Sequence, residues 1–308
     1  MRGARKTGAS SWFRSRSNFP EAGAEAVSAL ANPTMQIADA GGNRLEFESR
    51  GTGETVLLIH GSVVADSYVP MLAEPSLSRF RLVRYRRRGY GGSTHSPPPV
   101  SIADQAADGA ALMRHLGVER AHIVGHSYGG AIAMQLALDF PTAVHSLSLL
   151  EPALVFKIAG TDKLSERLFP MNLKYQSGDK AGAIEHFMNE IEGPAWRKTI
   201  DSVPGAWQMA IADADNFFQV EGLALAEWGF SAADARRIRQ PVLAMVGADT
   251  APAFHETHAL ALAWFPHAEP VEIPGATHML MMVKPRAVAE SISAFLSRHP
   301  LSRRQVIS

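Results

Sequence analysis

The chain has 308 residues, 46% of them hydrophobic, with 30 basic and 30 acidic side chains and no cysteine. That length and apolar content suit one α/β domain carrying an insertion better than two independent domains. Balanced charge supplies no global field toward nucleic acid or an anionic membrane, lack of cysteine excludes disulfides and a thiol nucleophile, and no apolar run reaches the ~18 residues of a bilayer span.

Residues 1–34 stand apart. Arg2, Arg5, Lys6, Arg14 and Arg16 precede the first acid, Glu21, among small and polar residues. The composition is that of a disordered basic extension or a transit-like targeting segment, without the apolar stretch of a secretory signal; alternatively, the natural chain starts at Met35. Apart from that segment, the expected location is cytoplasmic.

From Gln36 onward, strands alternate with helices. Leu45–Ser49 alternates apolar and polar residues, as a half-buried strand does, and Val56–Ile59 is an apolar run entering the loop His60-Gly61-Ser62. Arg81–Tyr85 is the next strand, followed by a glycine-rich loop through Ser93. Pro97–Pro99 delay the following helix, Ala103–Leu116, which Gly117 closes. Ala121–Val124 is a buried strand, and a small-residue helix runs from Ala131 to Phe140. Val144–Leu150, Pro241–Val246 and Glu269–Ile273 are further strands, and Pro285–Ser297 is an amphipathic closing helix. This alternation predicts a mostly parallel sheet with helices on both faces. Residues 35–151 and 240–308 form its core. Residues 152–239 break the pattern, with helical patches at Asp179–Ile191 and Pro204–Phe218 and no buried strand run, so they are read as a helical cap inserted over the sheet edge.

Gly125-His126-Ser127-Tyr128-Gly129 matches G-x-S-x-G, the pattern of a serine lifted above a sheet on a strained strand-to-helix turn. The flanking glycines leave room for neighbouring backbone, and the helix N-terminus after Ser127 favours developing negative charge. The N–H of Tyr128 is therefore expected to hold an oxyanion. The second donor is expected from the loop after Ile59, at Ser62 or, with a one-residue shift, at Val63. His60 itself reads as a loop-bonding residue.

A serine hydroxyl needs a base. Of twelve histidines, His278 sits best, in Gly275-Ala276-Thr277-His278 after the last strand; adjacent His126 is given a supporting role. The imidazole in turn needs a carboxylate. Asp249, in Val246-Gly247-Ala248-Asp249, gives the chain order Ser, Asp, His and is favoured. Glu151, which ends the strand before the insertion, is the alternative acid.

These motifs, in this order and over about residues 36–300, resemble the α/β-hydrolase superfamily. The resemblance implies an eight-stranded sheet, a helical cap after the sixth strand and a serine–acid–histidine triad without cofactor. Two departures stand out: the loop before Asp249 is one residue shorter than the common form, and Arg87 occupies a position that is usually acidic.

The expected activity is hydrolysis of a small or medium carboxylic ester through an acyl-enzyme, with a small molecule as the only expected partner. Lactone, thioester or carbon–carbon cleavage, perhydrolysis, and a non-catalytic binding protein on the same scaffold are the alternatives. Trp207, Met209, Phe217 and Phe218 are the expected apolar substrate contacts. His255-Glu256-Thr257-His258 has the wrong spacing for a zinc helix, so no metal is expected. The run Arg84-Tyr85-Arg86-Arg87-Arg88 reads as solvated or acid-paired rather than as a nucleic-acid surface. Oligomeric state is left open.

Overall fold

The computed structural model describes residues 35–158 and 161–301, so the basic extension of residues 1–34 lies outside the described residues. Eight strands form one sheet: β1 Gln36–Ala40, β2 Asn43–Arg50, β3 Thr55–Ile59, β4 Arg81–Tyr85, β5 Ala121–His126, β6 Val144–Leu150, β7 Val242–Gly247 and β8 Glu269–Ile273. Their spatial order is β1-β2-β4-β3-β5-β6-β7-β8. β1 and β2 run antiparallel to their neighbours, and all other pairings are parallel.

Burial follows position in the sheet. β3, β5 and β7 are buried at every residue, and β3 and β7 are nearly unbroken apolar runs; edge strands β1 and β8 alternate. Neighbouring residues such as Leu57 and Leu58 belong to separate apolar clusters on the two faces of the sheet. β1 has no separate signature beside β2, because the Gly41-Gly42 turn joins them into one hairpin, with Asp39 accepting the Gly42 N–H.

Two helices position the site. α1, Ile102–His115, starts one residue before its expected boundary because Ser101 and Asp104 form a reciprocal capping box. α2, Tyr128–Asp139, starts three residues before its expected boundary, and β5 runs two residues past its own, to His126. Ser127 alone therefore makes the turn between strand and helix.

Between β6 and β7 every described element is helical. α3, Thr161–Gln176, was not expected. α4, Lys180–Glu192, matches its predicted patch, with Asp179 capping it onto Gly182 N–H. The patch at 204–218 is broken. α5, Ala206–Ala212, is followed by a single turn at 214–216, a π-helical turn at Phe217–Glu221 and a helical end at Gly222–Glu227. The insertion shares its core with the sheet: Ile184, Met188 and Trp196 belong to the same apolar cluster as Met245, Ile273 and Phe295. α6, Pro252–Trp264, and α7, Pro285–Arg298, complete the layers.

Candidate active site

The turn at Ser127 is built by close approach. Ser127 has φ 50° and ψ −119°, a conformation that costs a non-glycine residue about 1–3 kcal/mol and persists only where its surroundings impose it. Ser127 N–H donates to Leu150 O at 3.0 Å, while Ser127 O accepts from Gly130 and Ala153 N–H. A Cβ on Gly125 would lie 2.5 Å from Gly129 O, and one on Gly129 would lie 2.2 Å from Ile59 O. The glycines of the motif are thus required by backbone on either side.

His278 pairs with Glu151, the alternative acid, and not with Asp249. His278 Nδ1–H donates to Glu151 Oε2 at 2.7 Å, with both side chains fully buried. Glu151 also accepts from Gly247 N–H at 2.7 Å on Oε1 and from the Thr250 hydroxyl at 3.0 Å on Oε2. This corrects the favoured acid. Asp249 is exposed, and its N–H donates to Ala276 O, because the short loop after β7 folds back on the β8 loop and carries the side chain outward. Desolvation lowers the imidazole to about 3 and raises the Glu151 carboxyl to about 7, although its two donors oppose that rise. The imidazole is therefore neutral, with its proton on Nδ1 and its basic lone pair on Nε2.

Neighbours hold the ring. Phe254 stacks on His278 at 3.9 Å, and His126 Nε2–H donates to His278 O at 3.0 Å, the supporting role expected of it. From the insertion, Glu192 accepts the Thr277 hydroxyl at 2.6 Å and the Met279 N–H at 2.8 Å, one residue to either side of His278. Nothing local in the sequence marked Glu192; its partners are 85 and 87 positions away.

The alternative oxyanion donor Val63 is occupied. Its N–H donates to the Tyr90 hydroxyl at 3.0 Å, and its φ of 68° closes a tight turn in which Val64 N–H reaches Ser62 O. Ser62 and Tyr128 both line the candidate cavity, and Tyr128 is the first residue of α2, where N–H groups have no acceptor within the helix. His60 is structural, as expected: Nε2 accepts the Arg87 N–H and Nδ1–H donates to Gly61 O.

One cavity of about 150 Å³ is lined by Ser62, Ser127, Tyr128 and His278 together. Its remaining wall is mostly apolar and comes largely from the insertion, including Leu168, Met171, Phe187 and Ile191, with Ser165 and Glu221 as its polar members. Of the four expected substrate contacts, Phe217 lines it. Trp207 instead packs between Trp196 and Arg197, Phe218 stacks on Tyr175 at 4.2 Å, and Met209 lies elsewhere on α5. α3 supplies wall residues that the helical pattern had not located.

The arginine run is acid-paired throughout. Arg84 meets Glu48 and Asp66, Arg86 meets Asp66 and Glu46, and Arg88 meets Asp108. Arg87, 1% exposed, donates to His60 O, Gly61 O, Gln105 and Glu221.

Residues 54–285 match the family described as alpha/beta hydrolase fold. The chain is 37% identical over 124 residues to the dihydrolipoyllysine-residue acetyltransferase component of the acetoin cleaving system of Cupriavidus necator, covering 40% of this chain and 33% of that protein. It is 34% identical over 124 residues to a fluoroacetate dehalogenase from a Burkholderia species, covering 38% and 40%. The matches span a third to under half of the length of such curated relatives. A thermophilic esterase structure from Thermogutta terrifontis superposes with a TM-score of 0.72 at 24% identity, over 86% of this chain and 98% of that one.

Proposed function

This chain belongs to the α/β-hydrolase family, and on that premise we propose that it hydrolyses short carboxylic esters through Ser127, His278 and Glu151. The observation that carries the reading is a single cavity bordered by a strained serine, by a buried imidazole backed by a carboxylate, and by two N–H-bearing residues, Ser62 of the loop after β3 and Tyr128 at the start of α2. Few arrangements other than acyl transfer use all four parts.

Ser127 Oγ attacks the carbonyl while His278 Nε2 takes its proton. Glu151 fixes the Nδ1–H tautomer and balances the imidazolium as it forms. The N–H groups of Ser62 and Tyr128 receive the oxyanion, and each such donor is worth roughly 10²–10³ in rate. His278 then protonates the departing alcohol. A water activated by the same nitrogen releases the acid and restores Ser127. A serine at this turn argues against displacement of halide, because the ester intermediate of that reaction needs a carboxylate nucleophile. Cavity size supports short substrates: about 150 Å³ is below the ~300–1,000 Å³ of drug-sized sites.

The test is a screen of p-nitrophenyl esters from acetate to decanoate, beside fluorophosphonate labelling. Turnover highest at short acyl lengths, with both turnover and labelling abolished in Ser127→Ala, is the expected result. An unlabelled, inert wild-type protein sinks the reading and favours a binding protein on this scaffold.

A further inference from the structure

Glu221 closes the π-helical turn of the insertion, and its side chain is 2% exposed. Such turns inside helices recur where a side chain is re-aimed for function. Oε1 accepts from Arg87 Nη2 at 2.5 Å, from the Tyr90 hydroxyl at 2.9 Å and from Asn216 Nδ2 at 3.3 Å. Oε2 is buried and has no partner among the described residues. Glu221 also lines the cavity that holds Ser127 and His278. Leaving a buried acceptor unpaired costs about 1–3 kcal/mol, more for a charged one. Here that acceptor belongs to a residue in the wall of a pocket whose other polar lining, among the described residues and beyond the reacting groups, is Ser165 alone.

We infer that Glu221 Oε2 is a specificity contact, accepting a hydrogen bond from a hydroxyl or N–H of the substrate away from the scissile carbonyl. The inference rests on the ester-hydrolase reading and names the substrate class within it: a short ester with one donor on a mostly hydrocarbon body. Charge selects a neutral donor. Arg87 already balances the carboxylate, so an ammonium group would enter the cavity without a net counter-charge. Position fits as well, because Arg87 Nη2 bridges Glu221 to Gly61 O, and Gly61 abuts the Ser127 side chain.

The test uses two ester pairs that differ only in donating ability. Ethyl 3-hydroxybutyrate against ethyl 3-methoxybutyrate probes the acyl side, and 2-hydroxyethyl butyrate against 2-methoxyethyl butyrate probes the alcohol side. A site built to bond a hydroxyl discriminates strongly against an analogue that cannot donate. In at least one pair the wild-type kcat/KM is expected to favour the hydroxy ester by about 30-fold or more. Glu221→Gln keeps an oxygen for Arg87 but sets an N–H₂ group in the place of Oε2, so the ratio is expected to fall at least tenfold as the methoxy ester becomes the better match. Flat ratios in both pairs for the wild type, or a ratio that Glu221→Gln leaves unchanged, overturn the inference. The wild-type ratios decide the matter by themselves if the variant does not fold. Ser127-dependent turnover of p-nitrophenyl butyrate with flat ratios removes only the Glu221 contact, whereas absence of any such turnover removes the hydrolase reading and this inference together.

Discussion

Gly247, the last residue of β7, donates its N–H to Glu151, the residue after β6, at 2.7 Å. The seventh strand thus contributes a backbone donor to the acid of the sixth, and its own nearby carboxylate, Asp249, points away. Removing the charge that orients a catalytic imidazole costs about 10⁴ in kcat. Glu151→Gln is therefore expected to lower kcat on a p-nitrophenyl ester by that order, and Asp249→Asn to stay within about threefold of wild type. The reverse ranking would return the acid to Asp249.

On the proposed mechanism, proton binding to the buried pair sets the pH dependence. Glu151 must be ionised to balance the imidazolium, and burial raises its carboxyl to about 7. Lowering the pH through that value adds a proton to the carboxyl and removes its support, so activity is lost on the acid side. kcat/KM is expected to fall with one-proton slope and a midpoint near 7, instead of near the usual carboxylate range around 4. In Glu151→Gln that limb should vanish from the residual activity.

Gly129 shows how little room the serine turn has. An added Cβ would stand 2.2 Å from Ile59 O and 2.5 Å from His60 O, both backbone atoms. Gly129→Ala must push the oxyanion loop away from α2. The expected cost is about 1–3 kcal/mol of stability, as for other overpacked sites. Reduced denaturant midpoint together with loss of fluorophosphonate labelling would register both effects.

Glu192 links the insertion to the histidine loop. Glu192→Ala leaves the buried Met279 N–H without its acceptor, at about 1–3 kcal/mol. Because the same carboxylate holds Thr277, kcat should fall along with the melting temperature. Glu192→Gln retains an acceptor oxygen and is expected to recover most of the loss. If Ala and Gln variants match wild type in kcat, the clasp does not position His278.

What could be read from the sequence followed the range of each signal. That Ser127 and His278 would meet at one cavity was legible because each sits beside glycine in a short segment directly after a strand, a pattern local enough to recognise. The interior strands were legible for the same reason. The acid was not settled, since Glu151 and Asp249 end adjacent strands and only the fold-back of the 248–250 loop onto Ala276 separates them. The cavity wall was largely hidden. Helical periodicity shows which face of α5 is apolar, but not that Phe217 turns toward the serine while Phe218 stacks on Tyr175. Arg87 was the one visible hint of Glu221, because a cation in a buried loop demands a buried anion somewhere in the chain.

The Val63 turn has a consequence for engineering. Its N–H is held by Tyr90, whose hydroxyl is held by Glu221 of the insertion, so a carboxylate outside the sheet layer braces a loop that faces the serine. Transplanting the helices of a relative between β6 and β7 would strip that brace and strand the Arg87 guanidinium among carbonyls, with no anion to neutralise it. Chimeras that swap this segment will need Arg87, Tyr90 and Glu221 to travel as a set.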